Sequence, residues 1–254
     1  MTEIPKSHPR YASLVARERV AAGVKEGITS VQGLIAQGRG EAFDYLIGEL
    51  TLPSALKATR TAAALLLLAE RPALSVNGNV AALASREMVD LAAALNIPLE
   101  VNLFHRTEER VRLIADRLRS QGASEVLGEK TDVLIAGLDH SRARATRGGI
   151  FDADVVLIPL EDGDRCEALV AMGKKVIAID LNPLSRTARK ASVSIVDNIV
   201  RAVPNLIQAV RDLRGLERSE LERMVREYDN KETLQAVGEE MQSYLAEQFS
   251  ALDS

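Results

Sequence analysis

Tryptophan is absent from this sequence, cysteine occurs once, histidine three times, and only 3% of the residues are aromatic. The lone Cys166 excludes an intramolecular disulfide and a cysteine-clustered zinc site, and it agrees with a reducing, cytoplasmic setting. His8, His105 and His140 lie far apart, with no His-x-x-x-His pair to put two ligands on one helix face, so no metal centre built on histidine is expected. So few aromatic rings leave little for a platform on which single-stranded nucleic acid could stack. The balance of 32 basic against 36 acidic residues, a net charge of −4, also argues against neutralising a phosphate backbone. No nucleic-acid partner is expected. The longest apolar run, Ala62 to Ala69, is far short of the roughly 20 residues of a membrane span. The opening residues, MTEIPKSHPRY, carry no apolar targeting core. The expectation is a cytoplasmic protein with no membrane partner.

The familiar nucleotide signatures are missing too. No G-x-G-x-x-G follows a strand, and Gly38-Arg39-Gly40 has Phe43 where a third glycine would stand. Gly173-Lys174-Lys175 lacks both the earlier glycine and the Ser or Thr of a P-loop, and reads as the turn before a strand. A dehydrogenase is therefore poorly supported, and a bound nucleotide would have to be held in some other way.

What is present fits an α/β protein. A length of 254 residues with 46% hydrophobic and 27% charged residues suits one large domain or a domain with an appendage. Ser7 to Gly27 reads as a helix capped by Ser7. In Ser30 to Glu49 four glycines interrupt two short helical patterns, and Gly38-Arg39-Gly40 reads as a tight turn presenting an arginine. Ser54 to Glu70 is a strong helix former, apolar on nearly every face toward its end.

From Ala73 onward, short apolar strands alternate with amphipathic helices. The strands are Ala73–Val76, Leu99–Phe104, Val133–Ala136, Val155–Pro159, Val176–Ile179 and Val193–Val196; the helices include Ser85–Leu95, Thr107–Gln121 and Asn198–Leu213. The alternation predicts a Rossmann-like α/β fold, a mainly parallel, doubly wound sheet with an N-terminal helical segment and C-terminal helices. Residues 1–213 are read as one α/β domain, and 214–254 as a charged helical extension on the core or on a partner subunit.

Ligands of such sheets bind beyond the carboxyl ends of the strands. Those ends carry Asn77-Gly78-Asn79, Glu161-Asp162-Gly163-Asp164-Arg165, Asp180-Leu181-Asn182 running on to Arg186-Thr187, and Asp197-Asn198. Each is also ordinary turn chemistry; their recurrence at four strand ends points to a ligand site. Candidate phosphate contacts are Arg17, Arg19, Arg39, Arg60, Arg186, Arg189, Lys190 and Arg201, because a guanidinium fork matches phosphate oxygens. Arg39 and Arg186 are the best placed. Glu161, Asp162 and Asp164 are candidates for helping to hold Mg²⁺, although no metal ligand is assigned. Cys166 opens a helical stretch that would lower a thiol pKa, but no histidine stands near it as a base.

Several long segments resemble one family. IPKSHPRY (Ile4–Tyr11), ITSVQGLIAQGRGEAFDYLIGE (Ile28–Glu49), SVNGNVAAL (Ser75–Leu83), EVNLFHRT (Glu100–Thr107), VVLIPLEDGDR (Val155–Arg165), KKVIAIDLNPLSRTA (Lys174–Ala188) and VDNIVRAVPN (Val196–Asn205) are similar to the archaeal phosphopantothenate synthetases, or 4-phosphopantoate–β-alanine ligases. The resemblance implies a homodimeric, Rossmann-like enzyme of coenzyme A biosynthesis. It would join 4-phosphopantoate to β-alanine while cleaving ATP to AMP and diphosphate through an acyl-adenylate, with Mg²⁺. Carried over residue by residue, it places ATP contacts on Arg17, Arg39, Asp180, Leu181, Asn182, Arg186, Thr187, Asn198 and Ile199. Arg39 and Arg186 are the expected catalytic arginines, and Asn77, Gly78 and Asn79 a weaker candidate for phosphopantoate. Glu161, Asp164 and His8 remain unranked as the general base. The alternatives are an ATP-dependent phosphotransferase on a similar core, which would release ADP, and a non-catalytic nucleotide-binding or coenzyme A-sensing module.

Charge distribution refines the net value. Arg214–Ser254 holds 5 basic and 10 acidic residues, whereas Met1–Arg60 holds 8 against 6 and Asp180–Arg201 holds 4 against 2. Basic excess is concentrated where anionic substrates are expected.

Overall fold

The computed structural model describes residues 4–252. After helices α1 (Tyr11–Lys25), α2 (Val31–Leu46) and α3 (Pro53–Leu68), the chain alternates as the pattern requires. In order come β1 (Pro72–Val76), α4 (Gly78–Leu95), β2 (Leu99–Val101), α5 (Glu108–Ser120) and β3 (Val126–Leu127), then a short ribbon of β4 (Val133–Leu134) and β5 (Arg144–Ala145). The second half runs β6 (Val155–Pro159), α6 (Gly163–Ala171), β7 (Lys175–Ile179), α7 (Arg186–Lys190), β8 (Val193–Ile195) and α8 (Ile199–Leu213). Two C-terminal helices, α9 (Arg218–Arg226) and α10 (Asn230–Ser250), complete the fold. Among the described residues no helix is long and apolar enough to cross a membrane.

Six strands form one parallel sheet in the order β3-β2-β1-β6-β7-β8. This is the expected Rossmann-like arrangement, and its order reverses between β1 and β6, where a crevice opens at the carboxyl ends. Alternate strand residues point to opposite faces. Leu74, Val76, Leu157, Ile177 and Ile179 face a large core built with α3, α4, α5 and α8. Ala73, Val156, Ile158, Val176 and Ala178 face a smaller core with Cys166 and Leu169 of α6 and with Ile135 and Ile150.

Several boundaries differ from the sequence pattern. The first helix begins at Tyr11, not Ser7, with no side-chain cap. The Val133–Ala136 strand stays outside the main sheet and pairs antiparallel with 144–145, while the two residues of β3, too short to show a period, complete the sheet edge. The strand from Leu99 ends at Val101, and α4 starts at Gly78, seven residues before its amphipathic stretch. Most consequential is α2, which runs unbroken through Gly33, Gly38 and Gly40, so Gly38-Arg39-Gly40 is helix and not a turn. Glycine costs about 1 kcal/mol per helical position, and packing outweighs that here. Gly33 and Gly40, two turns apart, share a face: a Cβ at Gly33 would lie 2.5 Å from Asn79 Oδ1, and one at Gly40 3.5 Å from Leu181. The close approach of the helix depends on the missing side chain at Gly33, whereas a Cβ at Gly40 would keep ordinary contact distance to Leu181.

The C-terminal helices are packed elements of the fold. Val237 of α10 joins Ile47, Leu52, Ala55, Leu181 and Val196 in a third apolar cluster. Leu52 gives α3 no side-chain cap; instead Glu240 of α10 accepts from Ser54 N at 3.1 Å and from Ser54 Oγ at 2.6 Å, placing a carboxylate on the positive end of α3.

Candidate active site: a two-part cleft under helix α2

Two adjoining cavities, of about 290 and 300 Å³, lie at the carboxyl ends of β1, β6 and β7 and share Ala36, Asn79, Leu160 and Asp162. Helix α2 roofs both. The β7 half is lined by Arg39, Gly40 and Phe43 from α2 and by Gly163, Asp180, Leu181, Asn182, Ser185, Arg186 and Thr187 from the loops after β6 and β7. The β1 half is lined by Thr29, Gly33, Asn77, Gly78, Phe104, His105, Arg110 and Arg142.

In the β7 half the loop organises itself. Asp180 accepts from Asn182 N at 3.0 Å and Ser185 Oγ at 2.5 Å, and Asn182 Oδ1 accepts from Leu184 N at 2.9 Å. Burial pushes the Asp180 carboxyl above its ordinary range, against those hydrogen bonds and the charge of Arg39. Thr187 Oγ donates to the carbonyl of Glu161 at 2.8 Å, tying the β7 loop to the β6 loop. Arg39 and Arg186 are exposed at the cleft, and Arg186 lies over Gly163, whose missing side chain makes room for its Cβ and Cγ.

In the β1 half most polar groups are already committed. Asn77 caps α4 through Asn79 N and Val80 N, each at 3.1 Å, and its Nδ2 donates to the carbonyls of Pro159 and Leu160 at 3.0 Å. It thereby stitches β1 to β6 across the crevice. Asn79 accepts from Thr29 Oγ and donates to the carbonyl of Gly33 at 2.8 Å, fastening the roof. A Cβ at Gly78 would lie 2.6 Å from the carbonyl oxygen of Ile28, so only glycine admits this approach. The Asn77–Asn79 turn is thus a structural clamp that also lines the cleft.

Beneath it lies a buried charge network. Glu161, with no exposed side-chain surface, is held by both Arg142 and the wholly buried Arg165, which also donates to Ser75 Oγ at 3.0 Å. Arg142 Nε lies 2.7 Å from Asp162 Oδ2. Asn102 fixes the segment carrying Arg142 by donating to the Arg144 carbonyl at 2.8 Å, and Glu100 holds its far end by accepting from Thr146 N at 3.0 Å and Ile150 N at 2.7 Å. Burial pushes the Glu100 carboxyl up to about 7.

Of the nine positions assigned to ATP, the cleft wall brings together six: Arg39, Asp180, Leu181, Asn182, Arg186 and Thr187. Arg17 lies in a separate groove between α1 and α2, paired with the buried Glu41 at 2.8 Å. Asn198 caps α8 and donates to Asp44 of α2 at 2.7 Å, and Ile199 is buried behind it. Arg201 pairs with Asp44 at 2.5 Å and with Asp197 at 2.7 Å, so it is not free for phosphate.

The three residues held open as a base are occupied or distant. Glu161 is locked between arginines. Asp164 accepts from His140 at 2.7 Å, a bond that holds its carboxyl low although burial pushes the other way. His8 takes its hydrogen bond from Arg10 N, away from the cleft wall. The same geometry turns Glu161, Asp162 and Asp164 in different directions, and among the described residues no group of three or more His, Cys, Asp or Glu side chains converges as a metal site. Cys166 is buried, and burial pushes its thiol up to about 12, opposite to the lowering its helix position suggests. Sequence patterns missed Arg110 and Arg142 as cleft residues, the one on a helix face read only as amphipathic and the other in a segment without strand or helix periodicity of its own; Asp162, expected at a strand end beside a ligand, does line the cleft.

Comparison with known proteins places this geometry. A family model described as phosphopantothenate/pantothenate synthetase matches residues 54–244. A relative from Methanosarcina mazei, named 4-phosphopantoate–β-alanine ligase, is 58% identical over 96% of this chain and 96% of its own length. Relatives of the same name from Thermococcus kodakarensis and Thermococcus onnurineus are each 57% identical over 93% of this chain and 91% of their own.

Proposed function

We propose the reaction below from the premise that the chain belongs to the phosphopantothenate/pantothenate synthetase family. It is an acid–amine ligase that condenses 4-phosphopantoate with β-alanine to 4'-phosphopantothenate in coenzyme A biosynthesis. The observation that carries this reading is 58% identity over 96% of this chain and 96% of a relative named for that reaction. ATP is the co-substrate and is cleaved to AMP and diphosphate. A carboxylate resists attack by an amine until one of its oxygens becomes a leaving group, and attack on the α-phosphate supplies one as an acyl-adenylate.

The β7 half of the cleft takes the nucleotide. Arg39 and Arg186 offset the repulsion between two anionic reactants and the charge that develops at phosphorus, and Asp180, Leu181, Asn182 and Thr187 shape the wall against the nucleoside. The β1 half takes 4-phosphopantoate beside Arg110 and the Asn77–Asn79 clamp. Arg17, Asn198 and Ile199 act from the layer behind: Arg17 and Asn198 fix α2 through Glu41 and Asp44. The carboxylates do not form a cage for Mg²⁺, so the ion would enter on the triphosphate, and no step is assigned to it.

The outer face of α2 supports a homodimer. Val31, Leu34, Ile35, Tyr45 and Leu46 recur at helical spacing and are exposed, Ile35 at 67%. A second copy of the chain covers that stripe, and sedimentation of Ile35→Asp as a monomer checks it. The buried free thiol of Cys166 agrees with a cytoplasmic location. Incubation with ATP, 4-phosphopantoate and β-alanine tests the reaction: AMP, diphosphate and the amide are expected. ADP as the nucleotide product would indicate a phosphotransferase, and saturable ATP binding without turnover a non-catalytic module.

A further inference from the structure

Amide formation requires β-alanine to arrive as an ammonium and leave as an amide nitrogen, so two protons must go. Asp162 stands where the two halves of the cleft meet and lines both. Its Oδ2 is buried against Arg142 Nε at 2.7 Å, yet the side chain keeps 45% of its surface, so the oxygen open to the cleft is Oδ1. That oxygen accepts no hydrogen bond among the described residues, whereas Glu161, Asp164 and Asp180 are each engaged by arginine, histidine or hydroxyl partners.

We propose that Asp162 is the catalytic residue that takes the first proton from the β-alanine ammonium, an assignment that rests on the ligase reading above. The ammonium nitrogen gives that proton to Oδ1 and attacks the carbonyl carbon of the adenylate. The N–C bond forms, the C–O bond to the phosphate breaks, and AMP departs. The nitrogen's second surplus proton leaves with the AMP phosphate, and Asp162 returns its own to solvent. Arg142 fixes the carboxylate so that Oδ1 faces the junction. Burial raises the proton affinity of Asp162 above the ordinary carboxylate range, Arg142 and His140 oppose that rise, and Glu161 and Asp164 add to it.

The two half-reactions separate the possibilities. In Asp162→Asn, 4-phosphopantoate-dependent exchange of diphosphate into ATP continues, and hydroxylamine, an amine already neutral at pH 7, still captures the adenylate as a hydroxamate. Amide formation with β-alanine falls roughly 10²- to 10³-fold, as loss of a general base predicts. The residual rate climbs with pH as free amine becomes available, and Asp162→Glu, which keeps the carboxylate, recovers part of the loss. Unchanged amide formation in Asp162→Asn overturns the assignment. So does an equal fall in exchange, hydroxamate and amide formation, which would make Asp162 a support for Arg142. Failure of the ligase reading itself is seen separately, as wild-type protein that yields no AMP.

Discussion

Arg39 and Arg186, in the β7 half of the cleft, are exposed to the space where a ligand would lie, whereas Arg142 and Arg165, under the β6 end, are buried and bound to Glu161. The same kind of side chain therefore does two jobs at one end of the sheet. Among the described residues Arg39 forms no ion pair within the chain, and Arg186 only a long one, 3.7 Å from the part-exposed Asp164, so removing either is expected to cost transition-state binding and to leave the fold alone. A buried arginine has its anion built in, and its removal takes away half of the charge that compensates a buried carboxylate. Chemistry thus sits on one set of arginines and shape on the other.

The largest effect should come from the buried set. Arg165→Ala is expected to destabilise the protein by about 3–5 kcal/mol, because it breaks a wholly buried ion pair and leaves Arg142 as the one arginine on Glu161; denaturant unfolding measures it, and a loss below about 1 kcal/mol would erase the distinction between the two sets. Next, Arg39→Ala should lower kcat/KM by roughly 10²- to 10³-fold, about 3 kcal/mol, while the unfolding midpoint stays where it was. A comparable loss of stability would place Arg39 with the structural arginines.

Glu100 tests the frame by pH. Its native pKa of about 7 lies above the ordinary 4.5. The native state therefore holds this proton more tightly than the unfolded chain. The stability tied to it is full below pH 4.5 and is lost as pH rises through 7, by something on the order of 3 kcal/mol. Glu100→Gln should show a flatter stability profile between those limits, and an equally steep profile would assign the slope to other groups. The smallest effect concerns Gly163. A Cβ there would lie 2.7 Å from Arg186 Cβ, so Gly163→Ala should push Arg186 aside. The expected result is an apparent KM for ATP raised roughly tenfold, about 1.4 kcal/mol, in a normally stable protein. Unaltered kinetics would detach Arg186 from the nucleotide.

The parallel sheet was legible because each of its long strands is an apolar run followed by an amphipathic stretch, and Thr107 and Asn198 mark their helices as caps in the structure too. The roof was not. Reading Gly38-Arg39-Gly40 as a turn weighed glycine by local propensity, whereas the seven-residue spacing of Gly33 and Gly40 was the informative signal: it marks one helical face prepared for close contact. The β1 half was illegible for a different reason. Arg142 reaches the cleft only when the 138–150 segment folds back over β2, and no local period announces that return, whereas Asp162 was already marked by its place just beyond β6. The β7 half was legible twice over, as a polar stretch from Asp180 to Thr187 beyond a strand end and through resemblance, which named its nucleotide contacts.

The glycine contacts of α2 also bear on how this cleft discriminates by size. Where a roof rests on side chains, its height can be tuned in small steps by swapping one rotamer or one methyl group. Here the roof offers bare backbone at Gly33, where a Cβ would lie 2.5 Å from the Asn79 side chain, while at Gly40 the Leu181 side chain would stand at an ordinary 3.5 Å. At Gly33 the roof therefore has no side chain to trim, and a change of substrate thickness there has to come from the floor, at Asn79, or from a shift of the whole helix.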